Sequence, residues 1–89
     1  MNAHSDDAAV NLERVVQARQ ALLSGEVRRL RESLNLSIAE VADAFGCWPS
    51  AWAAWERGEV KPNARSAVRI ARMLAHLRHL ADELAKEPA

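Results

Sequence analysis

Reactive side chains are few in this chain of 89 residues, which contains one cysteine and three histidines. No nucleophile stands with a base and no glycine-rich phosphate loop is present, so we expect no enzymatic activity. His76 and His79 lie three residues apart on the sequence and no cysteine accompanies them, and we expect solvated histidines and no metal site. No motif indicates a cofactor. The remaining chemistry is anion binding, because lysine and arginine side chains can pair with anionic groups.

The composition favours one small all-helical domain. Nearly half of the residues are apolar, Ala, Leu, Arg and Glu dominate, and only three Gly and three Pro occur. Basic and acidic residues are equal at twelve each, so the chain lacks the basic surplus that nucleic-acid binders usually carry. A local basic patch can still act, because salt confines its field to about 10 Å.

Signals for a membrane or for export are absent from the sequence. No apolar run approaches the roughly 18 residues of a membrane-spanning helix. The first ten residues, MNAHSDDAAV, are acidic and lack the apolar stretch of a signal peptide. The single cysteine cannot form an internal disulfide and fits a reducing compartment. We therefore expect a cytoplasmic protein without a membrane partner.

Capping residues predict five helices. Ser5 starts the first helix, which ends near residue 24. Ser24 can cap the second helix, near residues 25–34, and Asn35 tolerates the left-handed conformation that closes it. Ser37 caps the third helix, with Glu40 at the capping-box position.

Two further helices follow. Pro49 suits the first position of a fourth helix that runs to about Arg57. Asn63 caps a long last helix. Apolar residues along this helix alternate steps of three and four and form a narrow seam: Ala67, Ile70, Leu74, Leu77, Ala81 and Leu84.

The third and fourth helices have the residues that a steep crossing through a short turn requires. Ala42 supplies the small residue where two such helices touch, and Gly46 supplies the positive φ of the turn. Trp52 and Trp55 follow on the inner face of the next helix, where apolar side chains attach the pair to the remaining helices. Because these features occur together within residues 34–62, they predict a helix-turn-helix.

This stretch resembles the Xre and Cro/C1 family of bacterial and phage helix-turn-helix proteins, from residue 26 to about residue 76. The resemblance implies a five-helix, all-α, lambda-repressor-like fold with an extra N-terminal helix (1–24), a DNA-binding domain (25–76) and an extended last helix (77–89). It also implies a small DNA-binding transcriptional regulator of the Cro, immunity-repressor or antitoxin kind. The matching residues are Leu36, Ser37, Glu40, Ala42, Gly46, Pro49, Ser50, Trp55, Glu56, Arg57, Gly58, Lys61 and Pro62.

Scaffold roles follow from the same resemblance. Trp55 matches the buried anchor of the recognition helix, which spans about residues 48–57. Glu56 and Arg31 match a pair that ties this helix to the helix before the motif. Trp52 occupies a position that is usually a buried aliphatic residue, so we expect it in the core.

The surface implied to face DNA is mostly apolar. Ile38 stands where family members often have a phosphate-binding glutamine. No Asn, Gln or Arg is placed for the bidentate contacts that distinguish bases in the major groove. The residues implied to face DNA from the recognition helix are Trp48, Pro49, Ser50, Ala53 and Ala54, of which only Ser50 is polar.

Three routes to DNA recognition remain open. Alanine methyl groups and Trp48 can pack on thymine methyl groups. Sequence-dependent DNA shape can supply selectivity. Phosphates can be bound by Ser50, Lys61, Asn63 and Arg65, and Arg57 is a further candidate contact.

A protein-interaction module is the alternative interpretation. The surface from Trp48 to Ala54 is then a small apolar docking patch, and DNA binding is weak or lost. Trp48 itself either makes an exposed contact or packs against Pro49. Cys47 is expected to be a small buried apolar residue. The arginines of the last helix either form a solvated face or contact phosphates.

Spare apolar surface on the first and last helices predicts a homodimer, because exposed apolar patches tend to mark interfaces. A dimer also suits DNA binding, since dimers commonly bind two half-sites about 34 Å apart. Alternatively, these two helices pack against each other within one chain. The residues concerned are Leu74, Leu77, Ala81 and Leu84 on the last helix, and Leu12, Val15, Val16, Leu22 and Leu23 on the first.

Overall fold

The computed structural model describes the backbone of residues 3–87 and the side chains of residues 7–87. The helices are α1 (Ala3–Leu23), α2 (Glu26–Ser33), α3 (Ile38–Phe45), α4 (Pro49–Glu56) and α5 (Ala64–Ala85). No strand occurs within residues 3–87, and the all-α prediction is confirmed.

Three predicted helix ends are confirmed by their local geometry. The Ser37 hydroxyl accepts a hydrogen bond from the Glu40 N–H at 3.0 Å, and the Glu40 carboxylate accepts one from the Ser37 N–H at 2.8 Å. Asn63 Oδ1 accepts from the Ser66 N–H at 2.9 Å. Asn35 adopts a φ of 59° just after α2. These contacts satisfy backbone groups that have no partner within the helix, which fixes where the helices begin and end.

The first two helix starts differ from the prediction. α1 begins at Ala3, two residues before Ser5. The residue that caps α2 is Gly25 rather than Ser24, and its φ of 84° is one that glycine adopts without strain. Ser24 still contributes, because its hydroxyl accepts from the Glu26 N–H at 3.3 Å.

The core is shared by all five helices, and α1 packs along α5. The predicted packing of the first helix against the last within one chain is therefore confirmed. Segment 1–24 contributes to the same core as segment 25–76, while the division of the chain into functional units at residues 24 and 76 stays a prediction. The buried apolar residues are Val15, Ala18, Ala21, Leu22, Val27, Val41, Ala42, Phe45, Trp52, Ala67, Ile70 and Leu74.

The end of α5 extends past this core. The apolar seam is buried as far as Leu74. Leu77 and Ala81 are only partly buried, and Leu80 and Leu84 are exposed. The last turns of α5 therefore keep an apolar surface that the rest of the chain does not cover.

Three of the four aromatic residues, Phe45, Trp52 and Trp55, form a cluster in which Trp52, not Trp55, is the buried anchor. Trp52 is fully buried, as predicted. Its ring lies 5.5 Å from Phe45 and 5.6 Å from Trp55, both edge to face. Trp55 is only partly buried, so its prediction as the buried anchor was wrong. Trp52 points into the core. Trp55, three residues later on α4, instead lines a surface cavity beside Leu22 and Leu23 of α1.

Candidate nucleic-acid interface

The turn between α3 and α4 is tight and closed by two backbone hydrogen bonds. Gly46 has a φ of 93°, a left-handed conformation that favours glycine. The N–H groups of Gly46 and Cys47 both donate to the Ala42 carbonyl, at 2.8 and 3.0 Å. Ala42 is fully buried, as expected of a small residue beside a helix crossing. Cys47 was predicted to be buried but is partly exposed, because it follows the turn rather than lying within α3.

A buried ion pair fixes α4 to α2. Arg31 Nε and Nη2 donate to the two carboxylate oxygens of Glu56, at 2.8 and 2.9 Å. Arg31 Nη1 also donates to the Leu36 carbonyl at 3.0 Å, and Trp52 Nε1 donates to Glu56 Oε2 at 2.7 Å. The side chains of Arg31 and Glu56 are only 10% and 4% exposed. The predicted Arg31–Glu56 pair is thus present, and Trp52 extends it into a three-residue network.

The network also sets the protonation state of Glu56. Burial alone would raise the pKa of its carboxyl group. The hydrogen bonds from Arg31 and Trp52, with the positive charge of Arg31, outweigh burial, so the pKa of Glu56 lies below its ordinary value. The bond to Glu56 raises the pKa of Arg31 in turn. The pair is therefore fully charged at neutral pH, and α4 keeps a fixed orientation.

Sequence reasoning missed three arginines that serve the scaffold. Arg69 Nη2 donates to the Phe45 carbonyl at 2.6 Å, and the guanidinium lies 4.1 Å from the Phe45 ring centre. This contact joins α5 to the C-terminal end of α3, next to the turn. Arg78 makes a bidentate pair with Glu26, at 2.7 and 2.8 Å. Arg69 and Arg78 belong to the arginine stripe noticed in the sequence, yet nothing in the sequence separates them from its solvated members.

The third missed arginine holds the loop after α4. Arg19 donates from Nε and Nη2 to the Pro62 carbonyl, at 3.2 and 3.0 Å. A cationic donor to a carbonyl makes a strong hydrogen bond. The loop that carries Lys61 is therefore attached to α1, 43 residues earlier in the chain. The sequence signal was present only as an arginine interrupting the apolar pattern of the first helix.

The start of α4 is exposed. Trp48 is 80% exposed, so of its two predicted arrangements the structure has the exposed one. Its side chain does not cap the helix. Pro49 and Ser50 are also exposed, and Ala53 and Ala54 are partly exposed one turn later. The residues predicted to face DNA from this helix thus share an accessible and mainly apolar surface.

The candidate phosphate contacts differ in how they are already engaged. Lys61 and Arg65 are exposed and have no ion pair within the described residues. Arg57 makes an exposed bidentate pair with Glu59 at 2.7 and 3.0 Å, and the hydrogen bonds of that pair raise the pKa of Arg57. The side-chain oxygen Oδ1 of Asn63 is used as the cap of α5. Lys61 and Arg65 are therefore the most available cations of the predicted set.

Ile38 and the two histidines of α5 differ in their exposure. Ile38, at the position where a phosphate-binding glutamine was sought, is partly buried against the core. His76 and His79 are exposed. Among the side chains that the structure describes, no group of three or more His, Cys, Asp or Glu could hold a metal ion. None of the described helices is both long enough and apolar enough to cross a membrane.

The comparison with known families agrees with this geometry. Residues 22–84 match the family described as a helix-turn-helix domain. The match covers well over half of the chain and includes α2 to α4 and nearly all of α5. No match was found among curated proteins or solved structures. The chain therefore belongs to the helix-turn-helix domain family, whose general role is that of DNA-binding regulators.

Proposed function

We propose that this protein is a small transcriptional regulator of the Xre and Cro/C1 kind that binds double-stranded DNA with residues 48–57 in the major groove. The observation that carries the proposal is the contrast between the two sides of α4. Its inner side is fixed by the Arg31–Glu56–Trp52 network. Its outer side, from Trp48 to Ala54, is accessible. A rigid helix with a free outer face is what insertion into a groove requires.

The chemistry of that face favours apolar readout over hydrogen bonding. Trp48 and the methyl groups of Ala53 and Ala54 are the main accessible groups, and Ser50 is the one polar side chain among the residues predicted to face bases. Thymine offers a methyl group in the major groove, and apolar side chains contact it there. We therefore propose that the preferred sites contain thymine opposite the start of α4. DNA shape adds to this selectivity.

Lys61 and Arg65 are proposed to contact the phosphate backbone on the α5 side of the helix. Both are exposed, and the Arg19–Pro62 hydrogen bonds hold the loop that carries Lys61. Such contacts position the protein and strengthen binding on every sequence alike. Arg57 and Asn63 contribute less in this proposal, because Arg57 is paired with Glu59 and Asn63 caps α5.

A thymine-to-deoxyuridine exchange tests the apolar readout. Duplexes selected by the wild-type protein from a random pool are resynthesised with uracil, which lacks only the methyl group. Binding of the wild type should weaken about fourfold for each contacted methyl group, since burial of one such group is worth about 0.8 kcal/mol. Trp48→Ala should discriminate less between the two duplexes than the wild type does, because only Ala53 and Ala54 then remain to contact thymine methyl groups. Equal affinity of the wild type for the two duplexes contradicts the readout.

A salt titration tests the phosphate contacts. Lys61→Ala and Arg65→Ala should each weaken binding to all duplexes and flatten the slope of log K against log salt by about 0.9. Lys86→Ala is the matched control, because Lys86 is an exposed cation at the far end of α5. If Lys86→Ala flattens the slope as much as Lys61→Ala or Arg65→Ala does, Lys61 and Arg65 are not the phosphate contacts.

We also propose a homodimer formed by the last turns of α5. Leu80 and Leu84 are exposed there, next to the partly buried Leu77. Of the α1 residues predicted to take part in the dimer, Val15 and Leu22 are buried within the chain, so they are not accessible to a second copy. Sedimentation equilibrium should show a dimer at micromolar concentration and a monomer for Leu80→Glu with Leu84→Glu. A dimer that tolerates both charges excludes this interface.

The alternative function, a protein-interaction module, is favoured by one observation. Trp48 is 80% exposed, and a large exposed aromatic residue beside alanines can anchor a protein partner. In that case the wild type shows no salt-dependent binding to any duplex. The same titration therefore separates the two functions.

A further inference from the structure

A cavity of about 260 Å³ lies where the C-terminal ends of α1 and α4 meet the loop after α4. An apolar cavity of about 150 Å³ is enough for benzene. The space therefore fits an aromatic ring with a short substituent. Its apolar walls come from Leu22, Leu23, Trp55, Val60 and Pro62, and its polar walls from Arg19 and Lys61.

The apolar walls are left partly uncovered by the fold. Leu23 is 74% exposed and Val60 is exposed as well. Trp55 remains partly buried, although the other large ring of α4 is fully buried. Concave apolar surfaces with a few converging polar groups are the usual form of small-molecule sites. The aromatic wall formed by Trp55 favours a flat ring as the occupant.

The polar walls carry positive charge only. Arg19 is held in place by its two bonds to the Pro62 carbonyl, and its Nη1 has no hydrogen bond within residues 7–87. Lys61 has no ion pair there either. No acidic residue lines the cavity. An anionic group on an apolar body matches this arrangement, and a planar carboxylate suits the fork of an arginine.

We propose that this cavity binds a small aromatic carboxylate, and that the bound ligand weakens DNA binding. The ring lies against Trp55 and Leu23, and the carboxylate pairs with Arg19 and Lys61. The second half of the proposal rests on the proposed function, in which Lys61 contacts a phosphate. A carboxylate at Lys61 competes with that phosphate, so ligand and DNA disfavour each other to the same extent.

Ligand binding is tested without DNA, by ¹H–¹⁵N correlation spectra of the full chain. The probes are phenylacetate and indole-3-acetate, with the corresponding amides as uncharged counterparts. A ligand of this size binds at about millimolar concentration. Saturable shifts are expected for Gly58, Lys61 and the indole N–H of Trp55, and the amides should bind at least about tenfold more weakly. The indole N–H of Trp48 should not move.

Two substitutions place the ligand in the cavity without disturbing the core. Leu23→Glu puts a negative charge on an exposed wall and should weaken binding of phenylacetate about tenfold or more. Leu12→Glu is the matched control, since Leu12 lies on the same helix, is 64% exposed and does not line the cavity. Lys61→Gln should remove most of the preference for carboxylate over amide. Equal binding by Leu23→Glu and Leu12→Glu, or no saturable shift up to about 20 mM, overturns the site.

The DNA arm uses the same probes. Saturating indole-3-acetate should lower the affinity of the wild type for duplex DNA about fivefold, and should leave the affinity of Lys61→Gln unchanged. Ligand binding with unaltered DNA affinity overturns the coupling. If the wild type binds no DNA at all, the proposed function fails, while the spectra still decide whether the cavity is a ligand site.

Discussion

Replacing Glu56 with alanine should destabilise this protein more than the loss of any exposed acidic partner. The Glu56 carboxylate accepts three hydrogen bonds, two from Arg31 and one from Trp52. Its removal leaves the Arg31 guanidinium, 10% exposed, with only the Leu36 carbonyl as a partner. It also leaves the Trp52 N–H unpaired inside the core. The buried Arg31 guanidinium and the buried Trp52 N–H then lack both the Glu56 carboxylate and the water that would solvate them in the unfolded chain, which is energetically costly.

The expected magnitude follows from these contacts. Removing one partner of a buried ion pair costs about 3–5 kcal/mol. An unpaired buried donor costs about 1–3 kcal/mol, but the two terms overlap, since local relaxation can serve both. We expect a loss of about 4 kcal/mol, against a total stability of about 5–15 kcal/mol for a domain. The corresponding fall in Tm is about 20 °C.

Urea unfolding followed by far-ultraviolet circular dichroism measures this loss. The matched control is Glu59→Ala, which breaks a pair of similar bidentate geometry with Arg57. That pair is exposed, so its loss should change the stability by less than about 1 kcal/mol. A loss for Glu56→Ala within about 1 kcal/mol of the control refutes the reasoning. Pairing Arg31→Met with Glu56→Leu should recover part of the loss, because apolar replacements leave no buried charge.

The pH dependence checks the same network independently. The folded-state pKa of Glu56 lies below its ordinary value of 4.5. The stabilisation from ionised Glu56 is therefore fully present above that ordinary value and is lost as the pH falls through the lower folded-state pKa. Glu56→Ala should show a smaller loss of stability than the wild type on acidification through this range. Parallel pH profiles for the two proteins contradict the assignment.

Three further substitutions test the scaffold by urea unfolding. Trp52→Ala truncates the fully buried ring and should cost about 3–5 kcal/mol, clearly more than Trp55→Ala; the opposite order restores Trp55 as the anchor. Gly46→Ala should cost about 1–2 kcal/mol from its positive φ alone, since no atom lies within 4 Å of an added Cβ, and a neutral effect contradicts this. Arg31→Ala should destabilise more than Arg28→Ala, which loses only an exposed pair with a neighbour on the same helix. Equal free energies of unfolding for the two variants would contradict a stabilising role of the buried Arg31–Glu56 pair.

Local features of this fold were determined by the sequence itself. The capping box of Ser37 and Glu40, the cap at Asn63 and the left-handed turn at Gly46 all appear where they were predicted. Each depends on groups within about four residues along the chain, so spacing alone specifies them. The Arg31–Glu56 pair spans 25 residues, and it was reached through family resemblance rather than spacing.

The candidate interface was predicted in part. The exposure of Ser50, Lys61 and Arg65 agrees with their predicted placement on the surface, but their contacts with DNA stay predictions. The engagement of Arg57 with Glu59 was not foreseen. The cavity beside Lys61 was not foreseen either, because its walls come from the ends of two helices that are distant in sequence.

Only the tertiary structure decided which tryptophan is buried and which arginines are structural. Trp52 and Trp55 lie three residues apart on one helix, so their spacing allows both to face inward. Which of them is fully buried depends on where α1 and the other helices pack around α4. Arg19 and Arg69 bond to carbonyl groups 43 and 24 residues away. Burial and long-range bonds of this kind depend on how whole helices pack, and residue spacing within a single helix does not identify the groups on other helices that contact it.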